Sequence, residues 1–460
     1  MLRILSAILT GLIIILGCPA ISSPAKTSRL PIFELRMGEK YFRVDGRQSF
    51  VLGRNPAGIS PKDYDEHFRH AAKAGERFMR IHFTYIPSGE KPGEIDAGML
   101  SAWDAILDSA EKYKLAVLPV LGVWADWNDG SKNETWHRWD SNPYNIALGG
   151  PAKGPDEVFD DTLCRKLWLK RLETFIKHWS QHRCIVGWEI FSELDLVTSA
   201  NEERAVKFTE SAAEVIRAAD AWKRPITASQ AGVDEWPKLL KSNALDFIEI
   251  HPYSDGVYGG KLDELILSTV RQRLSKYNKP VLVGECGLSS APPRNTLDAA
   301  PRAEIGIRNA IWASIVSGAM NGRMLWWQDG CDQFEKVDLC SHYNHIATSA
   351  AAFVYGVDYT GFKPVACVMS DGLMGAMIGN DKERLGWFRD TKCNPPDWPV
   401  KPISRQTVTL KTSGKAWKIE FMDTVTGKVV RRSKLAVHNQ QLRILLPEFK
   451  GSIAVHLIEF

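Results

Sequence analysis

The chain has 460 residues, of which 44 % are hydrophobic and 24 % are charged, and this composition excludes a protein that is mainly disordered. Its 58 Lys and Arg nearly balance its 54 Asp and Glu, so the net charge of +4 excludes the basic field typical of nucleic-acid-binding proteins. The 8 Cys are too few for a disulfide scaffold at this length. The 16 Trp stand out and predict a large aromatic core or an aromatic binding surface.

The N-terminus is predicted to be an export signal over residues 1–25. A short basic start precedes an almost wholly apolar run at residues 4–17, which is shorter than the ~20 residues that a membrane helix needs. The segment around Cys18 resembles a bacterial lipobox, in which this Cys is acylated, and ordinary cleavage after Ala20-Ile21-Ser22 or near Ala25 is the alternative. We therefore expect an exported bacterial protein, secreted, periplasmic or held on the outer membrane as a lipoprotein, that touches the membrane only through this segment.

From Pro31 onward, short apolar runs alternate with longer stretches of helical periodicity. This alternation indicates a parallel sheet with helical crossovers. Eight such runs predict a (β/α)8 TIM barrel over residues 31–359; a doubly wound sheet is the alternative, but no Gly-rich phosphate-binding motif follows an early strand. The predicted strands are residues 50–53, 78–82, 116–121, 185–190, 225–229, 247–251, 280–285 and 323–327. The predicted helices are residues 63–74, 100–113, 163–179, 202–222, 234–241, 262–277 and 303–316.

The pattern changes near Tyr359. Short alternating runs follow, separated by turn signals such as Ser413-Gly414 and Thr426-Gly427, and no long helical stretch is visible. We predict a small antiparallel β-sandwich over residues 360–460. Packing on the barrel and binding of a ligand are both open as its role.

The active site of such a barrel lies at the C-terminal ends of the strands. Glu193 follows the fourth predicted strand, and Glu285 is the last residue of the seventh. We expect their side chains to face each other across the barrel. A pair of carboxyl groups is what cleavage of a glycosidic bond needs, because one protonates the leaving oxygen and the other attacks the anomeric carbon. Taken singly, each Glu is equally consistent with a salt-bridge partner. The other polar and aromatic residues at these ends are Arg80, His82, Trp124, Trp127, Ser192, His251, Tyr253, Trp326 and Trp327.

The two carboxyl groups need pKa values that differ from each other. Arg80 is predicted to hold one of them ionised, with Tyr253 donating to the same carboxylate. Glu189 competes as the acid, but period two along a strand places it deeper in the barrel than Glu193, and we predict a structural role for it.

Five motifs, in this order, resemble those of a known family. They are Met79-Arg80-Ile81, residues 187–193, His251-Pro252-Tyr253, residues 283–287 and Leu325-Trp326-Trp327. Over residues 31–359 the chain resembles a clan A glycoside hydrolase, close to glycoside hydrolase family 5 with its cellulases and β-mannanases. The resemblance implies retaining hydrolysis of a β-linked poly- or oligosaccharide, with β-mannan or β-glucan first, and no metal or organic cofactor.

The resemblance also implies roles for single residues. Glu193 would be the acid/base and Glu285 the nucleophile, supported by Arg80, His251 and Tyr253, while Trp326 would form the floor on which a sugar stacks. The family has Asn directly before the acid/base, where it bonds the sugar 2-hydroxyl, whereas this chain has Ser192. That departure leaves open a non-catalytic carbohydrate-binding protein, and transglycosylation shares the same intermediate. We expect a monomer whose partner is its carbohydrate.

Tryptophan and cysteine residues give two further expectations. A sugar-stacking surface is predicted near the cleft, where Trp124, Trp127, Trp136, Trp139, Trp188, Trp326 and Trp327 lie. About half of the four loop residues Trp124, Trp127, Trp136 and Trp139 are expected to face the substrate, with a self-packed loop core as the alternative. Cys331 and Cys340 form the best disulfide candidate, the pairs Cys164–Cys184 and Cys367–Cys393 are also open, and Cys286 is expected to be a buried free thiol.

Overall fold

A computed structural model describes residues 33–460, except residues 37, 58, 60, 84, 161, 293–295 and 330–342. The predicted export signal and the Cys331–Cys340 pair therefore lie outside the described residues. Pro31–Phe460 form one compact unit. No helix in the described part of the chain is long and apolar enough to cross a membrane.

A small antiparallel sheet, which the sequence did not predict, precedes the barrel. It consists of β1 (Phe33–Glu34), β2 (Phe42–Val44) and β3 (Arg47–Ser49). Phe42 stacks on Phe78, the first residue of a barrel strand, with ring centroids 5.6 Å apart. The sheet therefore packs at the N-terminal end of the barrel, away from the ends that carry the polar residues.

Eight parallel strands form the barrel, and the predicted (β/α)8 fold is confirmed. The eighth barrel strand pairs with the first, and each of the first four strands pairs in parallel with the next. The sixth strand pairs in parallel with the seventh. Backbone hydrogen bonds from Asp246 to Ile226 and from Met320 to Val281 join the remaining edges. The strands are β4 (Val51–Arg54), β5 (Phe78–His82), β6 (Ala116–Val120), β7 (Trp188–Glu189), β8 (Ile226–Thr227), β9 (Ile248–Ile250), β10 (Val281–Val283) and β11 (Asn321–Gly322).

The eighth strand is the one barrel strand that differs clearly from its prediction. β11 ends at Gly322, before the predicted start at residue 323, because Arg323 has a left-handed backbone with φ of 65°. Its guanidinium is fully buried and lies 2.7 Å from both Glu76 and Asp329. Ion pairing of this buried cation thus accompanies the break in the strand.

Helices cover the outside of the barrel, and their amphipathic spacing explains why the sequence predicts them well. The bounds of α3 and α6 match the prediction to the residue, and α8 was not predicted. The helices are α1 (Tyr64–Lys73), α2 (Ala97–Lys112), α3 (Leu163–Trp179), α4 (Glu202–Ala219), α5 (Pro237–Lys241), α6 (Leu262–Tyr277), α7 (Ala303–Ser317) and α8 (Asn344–Val354).

The C-terminal region has the predicted antiparallel sheets. Its strands are β12 (Lys363–Val365), β13 (Cys367–Met369), β14 (Leu373–Gly379), β15 (Glu383–Asp390), β16 (Pro402–Ile403), β17 (Thr407–Lys411), β18 (Ala416–Asp423), β19 (Val429–Ala436), β20 (Gln441–Leu445), β21 (Phe449–Lys450) and β22 (Ser452–Glu459). Six of them pair in the order β12-β14-β15-β22-β18-β19, three in the order β13-β17-β20, and two as β16-β21.

The β domain packs on the barrel through α6 and α7. Every residue of α7 except Glu304 is buried, as expected for a helix covered on all sides. The buried Arg389 of β15 pairs with Asp263 and Glu264 of α6. The described cysteines are all free thiols, so neither Cys164–Cys184 nor Cys367–Cys393 forms a disulfide.

Candidate active site

The site lies where β5, β7, β9 and β10 end. These strands direct Arg80, Glu193, His251 and Glu285 to one point near the barrel axis. Parallel strands closed into a barrel bring residues that are far apart in sequence to the same end, which is why the site assembles here.

Glu193 follows β7 in an unusual backbone conformation. Its φ of 57° and ψ of 58° are left-handed, a region that costs a non-glycine residue free energy. The end of β8 holds this turn, because the Glu193 amide donates to Ser229 Oγ at 3.0 Å and the Leu194 amide donates to the Ser229 carbonyl at 3.1 Å. The result fixes the Glu193 carboxyl beside His251, with Oε1 at 2.8 Å from Nδ1.

Glu285, the second residue beyond β10, is held as an anion. Its Oε1 accepts a hydrogen bond from Arg80 Nη1 at 2.7 Å, and its Oε2 accepts one from the Tyr253 hydroxyl at 2.7 Å. Burial would raise the pKa of Glu285, but the charges of His251 and Arg80 outweigh burial and lower this pKa to about 2. At neutral pH the carboxylate is therefore ionised and oriented.

Arg80 connects the layers of the site. Its guanidinium is fully buried and pairs with Glu189 through Nε at 2.7 Å and Nη2 at 2.8 Å, a bidentate geometry. Nη2 also donates to Ser192 Oγ at 2.9 Å. The Arg80 guanidinium therefore connects Ser192 to Glu285, since it donates a hydrogen bond to each of them.

Two further carboxyl groups, those of Glu189 and Glu249, lie deeper in the barrel than those of Glu193 and Glu285. Glu189 is buried on β7, deeper than Glu193 as expected from period two, and burial raises its pKa to about 7 against the charge of Arg80. Glu249 of β9 is also buried and lies with its Oε1 at 2.8 Å from Arg80 Nε. Sequence reasoning missed Glu249; the available signal was a charged residue two positions before His251, and therefore on the same face of the strand.

The two histidines of the site have opposite charge states. Burial would lower the pKa of His251, but Glu285, Glu193 and Glu249 raise it to about 10, so the ring is cationic at neutral pH. Burial and the charge of Arg80 lower the pKa of His82 to about 3, so that ring is neutral.

The spacing of the Glu193 and Glu285 carboxyl groups is short. One oxygen of Glu193, one of Glu285 and a nitrogen of His251 all lie within 4.8 Å of one another. Such a set can in principle hold a metal, but a ligating histidine must be neutral and His251 is cationic. The nearest oxygens of the two carboxyl groups are thus at most 4.8 Å apart, which is compatible with the ~5–5.5 Å separation of the carboxyl groups in retaining glycosidases.

Comparison with known proteins gives a clear result for structure only. No family model matches the sequence, and no curated protein matches it. A glycoside hydrolase family 5 structure from Bacteroides vulgatus superposes over 94 % of this chain and 94 % of its own, with a TM-score of 0.63 and 11 % identity. This chain has the fold of glycoside hydrolase family 5. The predicted resemblance to that family is thereby confirmed at the level of the fold.

Two mannanase structures are similar as well. The endo-1,4-β-mannanase from Rhizomucor miehei has a TM-score of 0.53 and 13 % identity, and it covers 70 % of this chain and 99 % of its own. The endo-β-1,4-mannanase from Thermotoga petrophila has a TM-score of 0.50 and 16 % identity, with 86 % and 99 % covered. At such identities the likeness is one of fold, so any activity on this family 5 fold must be argued from the side chains.

Partly exposed aromatic residues lie near the candidate site. Trp326 is half-buried and its ring lies 5.1 Å from that of His82, which in turn lies 6.3 Å from Tyr85. Tyr85 is 42 % exposed and was not predicted. Trp124 and Trp136 also keep partly exposed surfaces. Trp326 and Trp124 are the two whose contacts connect them to the carboxyl groups, because His82 lies 3.9 Å from Glu285 and the Trp124 amide donates to the Ser192 carbonyl at 3.3 Å.

The predicted stacking surface needs a correction, because four of its seven Trp are core residues. Trp127 is fully buried and packs on Trp139 and Tyr144, with ring centroids 5.9 and 5.2 Å away. Trp327 is buried and its Nε1 donates to the Ser289 carbonyl at 3.0 Å. Trp139 and Trp188 are buried too. None of these four offers a free ring face to a sugar.

Proposed function

We propose that this protein is a retaining β-glycoside hydrolase with Glu193 as acid/base and Glu285 as nucleophile. The observation that carries the proposal is the short distance, within 4.8 Å, between an oxygen of Glu193 and one of Glu285, of which the latter is held ionised by two hydrogen bonds. The family 5 fold supports the same assignment, because both residues follow parallel barrel strands at the end where the active sites of such barrels lie.

The reaction would proceed in two displacements. The Glu285 carboxylate attacks the anomeric carbon while Glu193 gives its proton to the leaving oxygen, so the glycosidic bond breaks as the glycosyl–enzyme ester forms. Glu193, now a carboxylate, takes a proton from water, whose oxygen attacks the same carbon and releases Glu285. The anomeric configuration is retained because the carbon is inverted twice.

A β-linked mannan or glucan is the substrate class that we propose. Two proteins of similar fold are named as mannanases, and the partly exposed rings of Trp326 and Trp124 suit the apolar faces of pyranose rings. A hydrolysis screen over β-mannan, β-glucan, xylan, galactan and aryl glycosides, with sizing of the products, identifies the substrate.

Azide distinguishes the two roles. With an activated aryl β-glycoside, Glu285→Ala plus azide is expected to yield a glycosyl azide of inverted configuration, since azide replaces the nucleophile. Glu193→Ala plus azide is expected to yield the azide of retained configuration, since azide replaces the water that Glu193 activates. Glu210→Ala, a change on the exposed face of α4, is the control and keeps full activity. The reverse pattern of configurations would exchange the assigned roles.

Ser192 favours one alternative, a carbohydrate-binding protein without activity. That reading predicts calorimetric binding of an oligosaccharide by the unmodified protein with no product after prolonged incubation. Transglycosylation shares the glycosyl–enzyme and is recognised by products longer than the substrate.

We propose further that the protein acts outside the cytoplasm as a monomer. The basic start and apolar run of residues 1–17 support export. The mass and the cellular fraction of the chain purified from its natural host test this proposal. A diacylglyceryl adduct on Cys18 supports the lipoprotein form, and an unmodified chain that keeps residues 1–25 in the cytoplasmic fraction contradicts export.

A further inference from the structure

Glu249 is a buried carboxylate that the double displacement does not use. Its side chain is fully buried in the barrel, and within the described part of the chain neither of its oxygens accepts a hydrogen bond. A buried charge without such partners is unfavourable unless opposite charge compensates it. The compensating charge is visible on both sides of Glu249.

The neighbouring strand leaves room for this carboxylate. Gly284, which follows β10 and directly precedes Glu285, has no side chain, and a Cβ built on it would lie 2.0 Å from Glu249 Oε1. Any other residue at position 284 would therefore displace Glu249 or move the backbone that carries Glu285. The glycine and the glutamate fit each other as a pair.

Glu249 lies between two cations. Its Oε1 is 2.8 Å from Arg80 Nε and 3.6 Å from His251 Nε2. On the opposite side of the imidazole ring, Nδ1 is 2.8 Å from Glu193 Oε1. The His251 ring thus bridges the deep carboxylate and the proposed acid/base.

Several other charged groups face this ring. Nδ1 is 3.7 Å from Glu285 Oε2, and Arg80 and His82 approach from β5. Glu189 and Asp195 lie farther along β7 and its following turn and also interact with His251. Among these groups, Glu249 is the one that forms an ion-pair contact with Nε2, while an oxygen of Glu189 lies within 4.8 Å of a ring nitrogen. Glu249 therefore acts on the ring from the side opposite Glu193.

We propose that Glu249 is a positioning residue that keeps His251 doubly protonated, so that its Nδ1–H always points to Glu193. This inference rests on the proposed function of Glu193. A neutral imidazole carries one proton and can place it on Nε2, which would leave an acceptor rather than a donor against Glu193. An anion beside Nε2 removes that ambiguity, because it favours the form with protons on both nitrogens.

The test is a titration of the His251 ring followed by ¹⁵N NMR of protein labelled at histidine, with His251→Gln to assign the signal. Glu249→Gln keeps the shape of the side chain and removes the charge. We expect the midpoint of His251 to fall by at least about one pH unit, a tenfold change in its proton affinity. Glu249→Asp, which keeps the charge, is expected to retain more of the raised midpoint than Glu249→Gln.

Glu76→Gln is the matched control. Glu76 is equally buried in the barrel but pairs with Arg54 and Arg323, and its loss is expected to leave the His251 midpoint in place. An unchanged midpoint in Glu249→Gln, or an equal fall in Glu76→Gln, overturns the proposal. If Glu249→Gln does not fold, the comparison of Glu249→Asp with wild type decides, since a shortened carboxylate must lower the midpoint.

Activity gives an independent readout. In Glu249→Gln, the weaker charge of His251 should move the acidic limb of kcat/KM to higher pH, because His251 helps to keep Glu285 ionised. A merely structural role would lower activity without moving the limb. If the wild-type protein hydrolyses no glycoside, the proposed function fails. The titration of the His251 ring still tests whether Glu249 keeps His251 doubly protonated.

Discussion

The Tyr253 hydroxyl donates a hydrogen bond of 2.7 Å to Oε2 of Glu285. Arg80 donates to the other oxygen at the same distance, so both oxygens of this carboxylate are held from different strands, β5 and β9. A nucleophile fixed in this way pays little entropy on reaching the anomeric carbon. Each of the two donors can be removed separately.

Tyr253→Phe removes one donor and leaves the ring. Hydrogen bonds to charged groups contribute about 1.5–3 kcal/mol, so kcat/KM is expected to fall roughly 10- to 100-fold. Tyr253 also lowers the pKa of Glu285, and without it this pKa rises toward its ordinary value. The acidic limb of the pH profile should therefore move to higher pH. Tyr258→Phe, whose hydroxyl meets only Ser268 at 3.5 Å, is the control. An unmoved acidic limb would contradict the role of Tyr253.

Glu189 is predicted to make the fold less stable as the pH rises. Burial raises its pKa from 4.5 to about 7, so at pH values between these the folded state keeps a proton that the unfolded chain has released. Its contribution to the free energy of unfolding is full below the unfolded pKa and is lost as the pH rises through 7.

Glu189→Gln cannot titrate, so urea denaturation at several pH values should show a shallower loss of stability between about pH 5 and 8. The slope does not vanish, because burial also raises the pKa of Asp126, Asp195, Asp298 and Asp329 to about 6. Glu210→Gln on the exposed face of α4 should keep the wild-type slope. Identical slopes in all three proteins would refute a shifted Glu189.

The sequence predicts this fold well because the information is local. Apolar residues three or four apart mark α3 and α6 to the residue, and short apolar runs mark the buried parallel strands. The wrong bounds predicted for β11 have a tertiary cause. Arg323 adopts a left-handed backbone while its guanidinium pairs with Glu76 and Asp329, and the local apolar pattern does not reveal these ion pairs.

Site residues are predictable only as far as strand ends define them. Glu193 and Glu285 follow from strand position and motif, and the structure brings them together. Trp127 and Trp327 show the limit, because the sequence gives the loop but not the direction in which a ring points. Glu249 was missed because its neighbours Ile248 and Ile250 make the strand look uniformly apolar, whereas an interior-facing charge is stable there only through Arg80 and His251.

Ser192 is predicted to influence recognition at C2 of the sugar. β-Mannosides and β-glucosides differ in configuration at that carbon, and the resemblance to family 5 assigns an Asn at this position to the 2-hydroxyl. Ser192→Asn replaces a short hydroxyl with an amide. We expect it to change the ratio of kcat/KM for an aryl β-mannoside and an aryl β-glucoside about tenfold or more, which corresponds to one good hydrogen bond to the substrate. Ser192→Thr keeps the hydroxyl and should keep the ratio. A constant ratio in Ser192→Asn would show that the residue does not read C2.

Trp326 and Trp327 are adjacent in sequence, but loss of each indole should affect a different property: substrate binding for Trp326 and stability for Trp327. Trp326 is half-buried beside His82, so Trp326→Ala removes a stacking face and is expected to raise KM about tenfold, equivalent to ~1.4 kcal/mol, with little change in stability. Trp327 is buried and bonded to Ser289, so Trp327→Ala leaves a cavity and is expected to cost about 3–5 kcal/mol of unfolding free energy. Thermal unfolding and steady-state kinetics of both variants test this contrast. Because the two residues share a loop and a side-chain type, each serves as the control for the other, and equal effects on KM would disprove the separation of the two rings.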